Sequence, residues 1–174
     1  MNIIGEKVLL RAIEVDDCEM LITLINDPEI EYLLGGWSYP VSKYTQKKWF
    51  DELSQETNTL RLTIDANGQA IGTAILSNID YKNGNAEIHI KLLQDKYGGK
   101  GYGTDAVYSL TRYAFQELRL HCIYAKVNMD NIISQKMFEK CGYMKEGIMR
   151  QRLFKRGKYV DIVMFSLMCD EIVL

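Results

Sequence analysis

Four of the chain's 13 glycines crowd into six positions (Gly98, Gly99, Gly101 and Gly103), directly ahead of a segment with helical periodicity. Val107, Leu110, Ala114 and Leu118 recur at i, i+3, i+7 and i+11, which is the repeat of one helix face. Thr104 stands where an N-cap belongs, with Asp105 in the first turn. Glycines at a helix N-terminus leave backbone amides without partners and keep side chains out of an anion's way. The helix dipole adds partial positive charge at the same place. The loop is by construction a cradle for phosphate or pyrophosphate.

Spacing separates the known cradles. A Walker loop needs Ser or Thr after Gly-Lys, but Gly101 follows Gly99-Lys100. A dinucleotide fingerprint built on Gly99 and Gly101 needs a third glycine at 104, which is Thr. What remains, Gly-Lys-Gly-Tyr-Gly-Thr-Asp-Ala, resembles the acetyl-coenzyme A loop of the GNAT superfamily of N-acetyltransferases. That family's pattern is Gln/Arg-x-x-Gly-x-Gly/Ala. Gly101 and Gly103 match it, while Gly98 replaces the Gln/Arg and removes one side-chain contact. For the loop alone, the competing reading is a flexible glycine turn that merely caps a helix.

A second block lies about 30 residues on, Asn128-Met-Asp-Asn131-Ile-Ile-Ser134-Gln-Lys-Met-Phe138-Glu-Lys-Cys-Gly142-Tyr143. It resembles the family's Asn-x-x-Ser/Ala-x-x-x-Tyr/Phe-x-x-x-Gly-Phe/Tyr pattern. On a helix, Asn131, Ser134 and Phe138 share a face. Ile133, Met137 and Cys141 are expected to line an adjacent apolar face against the core, and Gly142 to be a left-handed C-cap. Arg11, Glu87 and the closing Gly157-Lys-Tyr-Val-Asp-Ile-Val-Met-Phe-Ser-Leu also match. The likeness thus spans nearly the whole chain, toward the ribosomal-protein N-terminal and spermidine acetyltransferase branch.

The resemblance implies acetyl-CoA as cosubstrate, held by Leu92 and Leu93, by Gly98, Gly99, Lys100, Gly101, Tyr102, Gly103 and Thr104, and by Asn131, Ser134 and Phe138. It also implies direct transfer of acetyl to a primary amine: a polyamine, a protein N-terminal amine or an amino sugar. Glu87 matches the family glutamate that takes the amine's proton. His89 stands on the same strand face two residues on, where a packed neutral histidine is the alternative. A backbone N–H near Ile90–Leu93 is expected to polarise the thioester carbonyl. Many relatives place at Phe138 a tyrosine whose hydroxyl reaches the sulfur. Phenylalanine cannot donate, so Ser134 or a water is left for that role. A second reading is a coenzyme A-binding module with little or no transferase activity.

Charge is unevenly placed. Between Ala12 and Ser42 there is no Lys or Arg but there are seven acids, Glu14, Asp16, Asp17, Glu19, Asp27, Glu29 and Glu31. The last third carries Lys140, Lys145, Arg150, Arg152, Lys155, Arg156 and Lys158. Solvated faces would explain both runs. The functional alternative is an acidic wall that draws in a cationic amine, with Glu29, Glu31, Tyr32 and Trp37 on the acceptor side.

With 174 residues, 47% of them hydrophobic, the chain is read as one domain, 1–174. The net charge of −2 argues against nucleic acid as a partner. Cys18, Cys122, Cys141 and Cys169 lack metal-ligand spacing and only two histidines are present, so no metal site is expected. Without a leader or a long apolar run, a cytoplasmic protein off the membrane is expected; assembly as a homodimer is left open.

Periodicity and turn residues give strands at Lys7–Ala12, Leu60–Asp65, Ala70–Ile79, Ala86–Leu93, Cys122–Val127, Met144–Phe154 and Tyr159–Met168. Helices are expected at Glu14–Asn26, about Ser42–Glu56, after the glycine loop to about Leu118, and from Asn131. Glu29–Gly36 reads as a short irregular or helical turn. The order β-α-α-β-β-β-α-β-α-β-β matches the GNAT fold, an α/β arrangement with a twisted mixed sheet of about seven strands and helices on both faces.

Overall fold

The computed structural model describes residues 1–34 and 39–172. Among the described residues the eight strands are β1 Ile3–Ile4, β2 Leu9–Arg11, β3 Leu60–Ala66, β4 Gln69–Asp80, β5 Asn85–Leu92, β6 Cys122–Asn128, β7 Met144–Lys155 and β8 Lys158–Met168. They form one sheet in the order β1-β2-β3-β4-β5-β6-β8-β7. Every neighbouring pair is antiparallel except β5 and β6. The helices are α1 Cys18–Asn26, α2 Pro28–Leu34, α3 Lys43–Glu52, α4 Gln94–Tyr97, α5 Tyr102–Gln116 and α6 Ile132–Lys140. The strand beyond the expected seven is the two-residue β1, too short to show a period.

The parallel pair decides where a site can form. β5 and β6 are joined through α4 and α5, because parallel neighbours need a crossover. Their pairing covers only Asn85–Glu87 against Cys122–Tyr124. On its other side β5 stays paired with β4 out to Leu92. Beyond Glu87 one edge of β5 therefore opens, and its backbone groups on that side face no strand among the described residues.

Alternation sorts the faces. Ala74 and Leu76 of β4, Ala86 and Ile88 of β5, and Ile123 and Ala125 of β6 are buried with Ala106, Val107, Leu110 and Ala114 of α5. Each fully buried large aliphatic residue contributes about 1.5–3 kcal/mol. The opposite face of the sheet carries Ser77, Ile75 and Thr73, which lie across from Glu87, His89 and Lys91. Arg61 of β3 lies across from Ile75. Gly72, opposite Leu92, is required by close approach, since a Cβ there would stand 2.1 Å from the Lys91 carbonyl oxygen.

Three local expectations are corrected. The N-cap of α5 is Gly101, in the left-handed region at φ 84°, and Thr104 lies inside the helix. Ile133 is 70% exposed, because in the first turn of α6 it borders an open cavity rather than the packed core. Only Met137 and Cys141 of that trio pack on the core. The expected Glu14–Asn26 helix opens as a 3-10 turn at Val15–Asp17. There Asp17 turns inward to accept from Arg11 at 2.8 and 2.9 Å and from the Thr63 hydroxyl at 2.8 Å.

The acidic and basic runs of the sequence meet. Glu29 pairs with Arg156, and Glu31 with Lys155. Arg156 lies over the Tyr32 ring at 4.3 Å, and the Tyr32 hydroxyl donates to Asp130. These contacts clamp α2 to the β7–β8 hairpin and, through Asp130, to the segment between β6 and α6.

Candidate active site

The start of α5 supplies the first half of the site. The Asp105 amide donates to the Gly101 carbonyl at 3.0 Å, which leaves the amides of Tyr102, Gly103 and Thr104 ahead of the first intrahelical bond. No side chain among the described residues caps this end. Asp105 does not compete for these amides, since its carboxylate accepts from the amides of Glu6, Lys7 and Val8 at 3.1, 2.7 and 2.9 Å. The loop is held from outside by Lys7, whose ammonium donates to the Lys100 carbonyl at 3.1 Å. Gly99 is also left-handed, at φ 72°, with open space where a side chain would stand. Three free amides at a helix start with open space beside them fit a pyrophosphate.

The second half lies where β5 leaves β6. A cleft of about 380 Å³ is lined by His89, Lys126, Asn131, Ser134 and Phe138, with Leu33 and Leu34 of α2 on its far side. A smaller cavity of about 240 Å³ shares Leu33, Leu34, Ile90, Asn131 and Ser134 with it, and continues past Leu92 and Met137. Leu92 and Met137 also flank Gly103, so this apolar passage leads from the cleft to the start of α5. An extended chain with a phosphate at one end and a thioester at the other has this outline.

Glu87 sits behind the cleft with its side chain only 7% exposed, and its carboxylate meets Lys126 Nζ at 2.8 Å. Asn78 Nδ2 reaches the same oxygen at 3.4 Å, aimed there by a bulge in β4 between Ser77 and Asp80. His89 Nε2 lies 2.8 Å from the Ser77 hydroxyl and 3.8 Å from the Glu87 carboxylate. Burial holds the His89 pKa below its ordinary value, and the Glu87 charge opposes that push without reversing it. His89 is therefore neutral near pH 7 and can accept a proton. The hydrogen bond that Lys126 donates to Glu87 raises the pKa of Lys126.

On α6, Asn131 is the N-cap and its side chain accepts from the Ser134 amide at 3.0 Å. Phe138 is buried, edge-on to Tyr143 at 5.1 Å and stacked with Phe165 at 6.1 Å. Of the residues expected on the acceptor side, Glu29 lines the smaller cavity. Glu31 and Tyr32 belong to the clamp described above, and Trp37 lies outside the described residues. Sequence reading missed Lys126 and Lys91. Both were legible only as strand lysines, because the partner of Lys126 comes from β5 and the place of Lys91 at the cleft wall is set by packing.

A helix start open to phosphate, an apolar passage and a buried carboxylate behind a cleft-lining histidine at a parted parallel strand pair define an acyl-CoA-dependent amine acyltransferase. The chain belongs to the GNAT acetyltransferase family, whose domain model matches residues 7–144. It is 31% identical to the uncharacterized N-acetyltransferase p20 of Bacillus licheniformis, over 95% of each chain. It is similar in structure to the spermidine N-acetyltransferase of Vibrio cholerae, solved with CoA and spermine, with a TM-score of 0.88, 25% identity, and 96% and 98% of the two chains covered. The ribosomal L7/L12 alpha-N-protein acetyltransferase RimL, solved with coenzyme A, shares the fold at a TM-score of 0.86 and 20% identity, over 98% and 99%. The chain is an N-acetyltransferase that uses acetyl-CoA and acts on amines. The reading as a bare binding module is set aside. No helix among the described residues is long and apolar enough to cross a membrane.

Proposed function

We propose that residues 1–174 act as one unit that passes acetyl from acetyl-CoA directly to a small or peptidic amine, without an acetylated enzyme intermediate. The parting of β5 and β6 beyond Glu87 and Tyr124 carries this reading. It leaves backbone amides of β5 free to bond the pantetheine arm and polarise the thioester carbonyl. The pyrophosphate rests on the amides of Tyr102, Gly103 and Thr104, with Gly98, Gly99, Lys100 and Gly101 forming the rim. Leu92, Leu93, Asn131, Ser134 and Phe138 border the arm.

His89, at the cleft surface, receives the proton of the attacking amine, and Glu87 behind it stabilises the imidazolium that forms. Lys126 positions Glu87. The thiolate leaves at the Ser134 side of the cleft. Its departure needs little help, because a thiol's pKa is about 8.5.

The family's spermidine acetyltransferases would make a polyamine the first acceptor to try. The ion pairs of Glu29 and Glu31 with Arg156 and Lys155 weaken the case for an acidic wall here. A thiol-release assay with polyamines, amino sugars, amino acids and short peptides, with products identified by mass, tests the proposal. An N-acetylated product formed at the rate of thiol release is expected. Thiol release with no acetylated amine from any of them would refute it.

A further inference from the structure

The sheet face that carries Glu87 and His89 holds a second cavity, under α1 and α3. It is about 300 Å³ and lined by Leu21, Leu24, Ile25, Val41 and Trp49. Arg61, Ile75 and Lys91 line both this cavity and the transfer cleft, so the two spaces adjoin there.

The two cations at the junction differ. Arg61 holds Glu56 through two bonds of 2.8 and 3.2 Å and lies 5.8 Å from the Trp49 ring, so its charge is compensated. Lys91 has no carboxylate partner among the described residues. Burial, and then the charge of Arg61, push its pKa down from the ordinary lysine value. A half-buried ammonium without a counter-charge is costly, and an anion arriving beside it recovers that cost. Along β5, His89 and Lys91 are same-face neighbours about 7 Å apart. Thus, in line along one face stand a proton acceptor, an uncompensated cation and an apolar cavity.

Resting on the acetyl-transfer reading above, we propose that the acceptor is a free α-amino acid with a large apolar side chain. Its amine lies at His89, its carboxylate on the Lys91 ammonium and its side chain in the cavity under α1 and α3. The amine lone pair forms the N–C bond to the acetyl carbon, and the electron pair of the C–S bond leaves on sulfur. The nitrogen's proton passes to His89 and one proton ends on the thiolate, giving an N-acetylamino acid and free coenzyme A. The spacing allows this ligand, because its amine and carboxylate are separated by a single carbon and the flexible four-carbon stem of Lys91 can carry its ammonium to a carboxylate beside His89. A polyamine brings no anion to Lys91.

The test reads binding separately from turnover. N-acetyl-L-phenylalanine, its carboxamide, N-acetylglycine and N-acetylspermidine are titrated calorimetrically into the full chain with coenzyme A present. N-acetyl-L-phenylalanine is expected to bind at least about tenfold more tightly than the other three. Lys91→Met is expected to bring the carboxylate and carboxamide to within about twofold while leaving coenzyme A affinity unchanged. Lys91→Arg should keep the preference. Equal binding of acid and amide, a preference that survives Lys91→Met, tighter N-acetylspermidine, or no binding of N-acetyl-L-phenylalanine would each overturn the proposal. Lys91-dependent binding without turnover of any amine would instead count against the acetyl-transfer mechanism.

Discussion

Glu87 and Lys126 bring opposite charges to within 2.8 Å across β5 and β6, just where those strands stop pairing at Glu87 and Tyr124. A carboxylate held by an ammonium and 7% exposed is not free to meet an incoming amine. It is well placed to steady a charge on His89, 3.8 Å away. The pair also bridges the mouth of the opening between the strands, so it helps to set the width of the site.

Glu87→Gln keeps shape and removes the anion. Turnover should fall by about 10²-fold with acetyl-CoA affinity nearly unchanged. In the proposed mechanism the amine's proton goes to neutral His89, so activity should rise with pH through the His89 pKa. Glu87 raises that pKa against the lowering effect of burial. Its loss should therefore move the acid limb of the kcat/KM profile to lower pH. An acid limb that stays in place would show that the two residues are not coupled.

Phe138→Tyr tests whether protonation of the leaving thiolate limits the rate. Phe138 lines the cleft, and a hydroxyl added there would stand near Ser134, one turn earlier. If that proton transfer is slow, kcat should rise several-fold, and Ser134→Ala should lower kcat in the natural chain. Unchanged kcat in both variants would mean that neither position supplies the proton.

Gly101→Val asks a β-branched residue to hold φ near 84° and to place its Cβ 3.0 Å from Lys7 Nζ. The left-handed strain alone costs roughly 1–3 kcal/mol. Relief of that strain would tilt the first turn of α5. Acetyl-CoA affinity measured by calorimetry should drop at least about tenfold; unchanged affinity would remove the phosphate from this loop.

Asp17→Asn addresses stability rather than chemistry. Burial pushes the Asp17 pKa up, but bonds from Arg11, the Glu14 amide and Thr63 together hold it below the ordinary aspartate value. A depressed carboxyl stabilises the fold above its unfolded pKa of about 3.9, and that contribution is lost as pH falls through the folded value. The variant should lose roughly 2–4 kcal/mol in urea unfolding at pH 7. The gap to the natural chain should narrow below about pH 4. A gap independent of pH would mean that the charge of Asp17 is not what matters.

The fold was legible where periodicity is strong. The alternation at 86–93 put Glu87 and His89 on one face and Ala86 and Ile88 on the other, as found. Glycine chemistry located the start of α5 to within a few residues. The Thr104 cap was misplaced because a left-handed glycine can begin a helix without any side-chain oxygen. Ile133 was misassigned because one-dimensional spacing does not say which part of a helix face borders a cavity instead of the core.

By itself the sequence determined most of the helices and strands, the glycine loop ahead of α5 and the family, since each of these is written in contacts between near neighbours or in fixed spacing. Only the tertiary structure decided which charges compensate one another. Glu29 and Glu31 read as a free acidic wall until the β7–β8 hairpin, more than a hundred residues away in sequence, brought Arg156 and Lys155 to them. Lys91 read as one more strand lysine until folding placed it between two cavities with no carboxylate partner among the described residues. Coulomb energy depends on distance and burial, and neither is a property of the chain before it folds.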